Sequence, residues 1–118
     1  MNWYMAKIVF RIICGEGDHT PQFDEQLRLI EAEHEEEAFV KATTIGEKDE
    51  ESFLNQKNQV VRWQFINISE LYKLSLTDGA EMYSRVQETD HAASFIDAIN
   101  KKADYIRAAF SKKLSQAF

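Results

Sequence analysis

The residues best suited to chemistry lie in and just after one glycine-bearing stretch, Cys14-Gly15-Glu16-Gly17-Asp18-His19-Thr20-Pro21. Asp18, His19, Gln22 and Asp24 are its candidate ligand-binding side chains. A histidine beside carboxylates titrates near neutrality and can exchange protons with a substrate or hold a metal. His19 with Asp24 or Glu25 is therefore the pair that a small hydrolase or transferase would use. Metal sites usually place two ligands at tight spacing on one element, and that spacing is missing, so no metal or other cofactor is expected. Gly15-Glu16-Gly17 is no phosphate loop, because no Gly-Lys-Ser/Thr follows and the local charge is negative. The plainer reading is a hairpin loop whose polar side chains cap their own backbone.

Three arginines form the second constellation. Arg28, Arg62 and Arg85 fall in three stretches that read as strands, with Glu25 and Glu81 near two of them. On one sheet face they make an anion or carboxylate pocket, using the planar guanidinium fork. Cross-strand ion pairing on an outer face explains them equally simply, at about 0.2–1 kcal/mol per pair. His34 and His91 each precede a helical stretch and read as first-turn surface residues. Cys14 has no second cysteine nearby and reads as a small hydrophobe rather than a nucleophile.

These side chains need a scaffold, and its centre is Val60 to Tyr72. The stretch is rich in β-branched and aromatic residues and lacks Gly and Pro, which predicts a central strand. Its alternation changes phase. Val61, Trp63 and Phe65 share one parity, while Ile66 and Ile68 take the other, so the strand either bulges near Phe65–Ile66 or is buried on both faces. Trp3 to Ile13 is a second strand with apolar residues on both parities, interrupted by Lys7 and Arg11. Gln22 to Ala32 fits a helix or a strand; the wide hairpin through Gly15 and Gly17 favours an antiparallel strand.

Glu35, Glu36 and Glu37 suit the positive end of a helix, and Ala38, Phe39, Ala42 and Ile45 make its apolar stripe, with Gly46 a C-cap or a thinning point in a helix running to about Glu50. Ser52 to Asn55 reads as a short strand turned by Gln56-Lys57-Asn58, with a last helical turn as the competing reading. Thr77-Asp78-Gly79 is a turn into a further strand, Ala80 to Gln87. Thr89 or Asp90 caps a last helix whose apolar residues run from Ala92 to Leu114, with Lys112 and Lys113 at its negative end. Apolar matches at an offset of 56 residues suggest two strand–strand–helix halves, although two α+β halves produce such matches by patterning alone.

The sequence thus predicts an α+β fold: a mainly antiparallel sheet of four to five strands, in the order ββα(β)ββα, with both helices on one face. With 118 residues, one domain spanning 1–118 is the natural expectation. A formal net charge of −6 disfavours a general nucleic-acid or anionic-membrane binder. The charge is uneven: five of the 14 basic residues but only one of the 20 acidic ones follow position 99. A single cysteine, no leader-like N-terminus and no long apolar run point to the cytoplasm. Two helices cannot cover both faces of such a sheet, yet two strands are apolar on both. A second copy of the chain is the expected cover, giving a twofold homodimer.

Several blocks are distinctive as a set: Trp3-Tyr4-Met5-Ala6-Lys7, Gly17 to Gln26, Val61-Arg62-Trp63-Gln64-Phe65, Glu70-Leu71-Tyr72 and Asp78 to Arg85. Together they resemble a bacterial family catalogued as domain of unknown function 4288. The resemblance implies a small, stand-alone bacterial protein and assigns no activity or site residue. From the residues, the expected function is a small non-catalytic binding or protein-interaction module. Its ligand would be a protein or a small anion, and the loop hydrolase or transferase is the alternative.

Overall fold

The computed structural model describes the backbone of residues 1–117 and side chains as far as residue 112. Its contacts group into two compact units, Met1–Tyr83 and Ser84–Phe118, each described by itself. The elements are β1 (Asn2–Cys14), β2 (Gln22–Ala32), α1 (Glu35–Lys48), β3 (Glu51–Leu54), β4 (Val60–Leu74) and α2 (Ala92–Ala117). The protein is α+β. The four strands form one sheet in the order β2-β1-β4-β3, and all three pairings are antiparallel.

The phase change in β4 is a bulge, and a second follows it. Phe10 pairs with Phe65 but Val9 with Asn67; Ile8 pairs with Ile68 but Lys7 with Glu70. Ile66 and Ser69 are the residues passed over. Each extra residue restores the apolar parity, so Val61, Trp63, Phe65, Ile68 and Leu71 line one face over the whole strand. That face meets α1. Ala38 and Ala42 pack on Tyr4, Ala6, Ile30 and Ala32, with Ile45, Ile68 and Leu71 around them.

Gly46 is buried within α1 and is not its cap. A Cβ there would collide with the Phe65 ring and crowd Ile8, so glycine sets how closely helix and sheet approach. The helix ends at Asp49, whose N–H donates to the Ile45 carbonyl. At its start His34 is the N-cap, its ring Nδ1 accepting the Glu37 N–H at 3.2 Å. Phe39, expected in the buried stripe, is exposed.

The turns fall as expected. Gly15 and Gly17 take positive φ, and Asn58 does so in the β3–β4 turn. In that turn Asn55 Oδ1 accepts the N–H groups of Lys57 and Gln59. Gly79, also at positive φ, closes the turn in which the Ala80 N–H donates to the Thr77 carbonyl.

The strand expected over Ala80 to Gln87 does not form; the backbone there has no regular structure. Alternation alone predicted it, and among the described residues the sheet ends at β2 and β3 without it. The second strand of the suggested duplication is therefore missing. In the second unit, α2 begins at Ala92, with Thr89 Oγ1 accepting the His91 N–H at 3.2 Å. Phe95, Ile96, Ile99, Ile106 and Phe110 are exposed along it. Lys113 and Leu114 lie outside the described side chains. Among the described residues no helix is long and apolar enough to cross a membrane.

Candidate functional site

Helix length decides where the sheet stays open. The 14 residues of α1 rise about 21 Å, whereas the 13 residues of β1 extend about 43 Å. The helix lies over Tyr4 to Ile8 and ends before Ile12. The Asp24–Phe10–Phe65 row reaches the last turn of α1, and beyond it the same sheet face continues as Gln22–Ile12–Trp63–Glu51 and Cys14–Val61–Phe53. The 15–20 loop borders this shelf on one side and the end of α1 on the other.

A chain of polar contacts crosses it. Trp63 Nε1–H donates to Asp24 Oδ2 at 3.1 Å, and Gln26 Nε2 donates to the same oxygen at 2.8 Å. Arg28 Nη1 donates to Gln26 Oε1 at 3.1 Å and to Asp49 Oδ2 at 2.7 Å. The Trp63 ring is stacked on Phe53, with centroids 5.7 Å apart. This network borders a cleft of about 390 Å³ that also takes in Lys48, Glu50 and Glu51.

A second cleft, of about 720 Å³, opens at the loop. Cys14, Gly15, Glu16, Asp18, His19, Thr20, Gln22 and Gln59 line it. His19 is held on both sides of its ring: Nε2 accepts the Cys14 N–H at 3.0 Å, and Nδ1 lies 2.9 Å from the Thr20 carbonyl. A carbonyl only accepts, so Nδ1 carries the proton. The Gly15 N–H donates to the Val60 carbonyl, fastening the loop to β4. Cys14 is a half-buried free thiol.

The expected site residues therefore divide. Asp18, His19 and Gln22 share the loop cleft. Asp24 and Arg28 belong to the polar chain under the end of α1. Glu25 pairs with Val9, on the opposite sheet face from Asp24. Arg62 pairs with Ile13 and also takes that opposite parity, away from Arg28. Arg85 lies in irregular backbone of the second unit. The arginine ladder is thus overturned: it required three strands and a common face, and one strand is absent while two arginines point to opposite faces. Trp63, Gln26, Asp49 and Gln59 are members that sequence reasoning did not assign. Parity placed Trp63 beside Phe65, but no local signal paired it with Asp24, 39 residues away.

On the other sheet face Lys7 Nζ lies 2.8 Å from Glu70 Oε2, with the Tyr83 ring 5.6 Å from Lys7 Nζ. The Lys7 contact holds Glu70 below the usual carboxylate range. In turn the Glu70 contact holds Lys7 above the usual lysine value and raises Tyr72. Among the described residues, no three His, Cys, Asp or Glu side chains converge as metal ligands would.

An antiparallel sheet with one short covering helix and an open polar shelf makes the Met1–Tyr83 unit a small α+β scaffold. A family model described as Domain of unknown function (DUF4288) matches residues 3–84, and the chain belongs to that family. No curated protein and no solved structure matches it.

Proposed function

We propose that the protein is a small non-catalytic binding module, cytoplasmic and homodimeric. It takes a polar or cationic group of a protein partner in the cleft beside the 15–20 loop. The observation that carries this reading is the commitment of both His19 ring nitrogens to backbone groups. A histidine so engaged shapes a wall and has no nitrogen left for proton transfer. The loop hydrolase or transferase loses its second partner as well. Asp24 is not in the lining of the cleft that holds His19, and Glu25 is on the other sheet face.

The lining favours the ligand class. Glu16 and Asp18 are its acids, Gln22 and Gln59 its amides, and no lysine or arginine is among them. Such a wall attracts ammonium, guanidinium or N–H donors and repels a small anion. NMR titration of the full chain with short lysine- and arginine-containing peptides, and with phosphate, tests this. Shifts at residues 15–22 with the basic peptides, weakened in Asp18→Asn, are expected. Binding of phosphate instead, or an esterase or phosphatase activity lost in His19→Asn, overturns it.

A further inference from the structure

The two edges of the sheet are not alike. β3 is four residues long, which is one way in which proteins keep an edge from recruiting another strand. β2 is an edge of 11 residues, and its register with β1 is unbroken over eleven pairs from Asn2–Ala32 to Ile12–Gln22. It has no bulge, no proline and no lysine, three of the devices that blunt an edge; its charges are Asp24, Glu25, Arg28 and Glu31. Of the five side chains facing away from α1, three are apolar and bare: Phe23, Leu27 and Leu29 are 57%, 48% and 55% exposed, with Glu25 and Glu31 between and beyond them.

We propose that β2 pairs antiparallel with β2 of a second copy about a twofold axis at Gln26, joining two four-stranded sheets into one of eight. This rests on the homodimer reading above and names its surface. The register follows from charge and apolar matching. Centred on Gln26, Phe23 faces the partner's Leu29 and Asp24 faces the partner's Arg28, each twice by symmetry. Centring on Glu25 or on Arg28 sets a like charge against itself. Centring on Leu27 sets Phe23 against the partner's Glu31 and Leu29 against the partner's Glu25. The Gln26 centre sets Glu25 against the partner's Leu27, a mismatch, but of these registers it alone adds acid-on-base pairs to an apolar-on-apolar one.

Two further details fit that register. Among the described hydrogen bonds Asp24 uses only Oδ2 and Arg28 only Nη1, so each retains a free atom for its counterpart. The Glu31 carbonyl is taken by Lys41 Nζ at 2.9 Å, just beyond the 22–30 span that the pairing uses.

The test is oxidative cross-linking of the full chain in a Cys14→Ser background. Gln26→Cys places two thiols at directly opposed positions, where Cα atoms about 4.5–5.5 Å apart suit a disulfide. Glu31→Cys is the control, its copies about 33 Å apart along the strands. Linked dimer from Gln26→Cys and none from Glu31→Cys, with Leu29→Lys folded but monomeric, is the expected result. A wild-type monomer overturns both the homodimer and the edge. A wild-type dimer that Gln26→Cys does not link and Leu29→Lys does not dissociate overturns the edge alone.

Discussion

Trp63 Nε1–H donates to Asp24 Oδ2 at 3.1 Å, tying β4 to β2 across the intervening β1. The bond lies on the part of the sheet face that α1 leaves uncovered, so side chains rather than a helix fix the geometry there. Trp63→Phe keeps a ring against Phe53 but removes the donor from a charged acceptor. A loss of about 1.5–3 kcal/mol is expected, read as a lower urea midpoint at unchanged slope. An unchanged midpoint means that the shelf is held by packing alone.

Gly46 tests the closeness of helix and sheet. On helix propensity alone, alanine should stabilise α1 by about 1 kcal/mol. Because the Cβ meets the Phe65 ring, Gly46→Ala is expected to destabilise instead, by about 1–3 kcal/mol. Thermal unfolding followed by circular dichroism gives the sign directly.

The Lys7–Glu70 pair sets a pH window. Glu70 is held below its ordinary pKa, so its contribution is complete above about pH 4.3 and fades as pH falls through the folded value. Lys7 is held above its ordinary pKa, so its contribution is complete below about pH 10.4 and is lost as pH rises further. Stability should be flat between these limits as far as this pair contributes. Glu70→Gln should lessen the acid-side fall relative to the wild type. Parallel acid-side curves for the two proteins would contradict the pairing.

His19→Ala removes the acceptor of the Cys14 N–H and the donor to the Thr20 carbonyl. About 1 kcal/mol of stability should be lost, with faster amide hydrogen exchange confined to the 14–20 loop. Exchange unchanged in that loop would show that the ring does not hold it.

Much of the fold was legible because local patterns agree with it. The bulge in β4 could be read from the parity switch between Phe65 and Ile66, and the hairpin from Gly15 and Gly17. Ala80 to Gln87 alternates just as clearly and is no strand, since alternation says which side chains would share a face and not whether backbone pairing forms. The site was legible in part. The loop sequence placed Asp18, His19 and Gln22 together, but nothing local showed that His19 is spent on the backbone of Cys14 and Thr20. Arg28 and Arg62 look equivalent in sequence; register alone separates their faces.

The central claim is that the bare β2 edge and its apolar face belong to an assembly of two chains. Static light scattering of the wild-type chain at micromolar concentration tests it most directly. The account predicts twice the 13.7 kDa mass of one chain, falling to a single mass in Leu29→Lys. A wild-type mass of one chain across that range contradicts it.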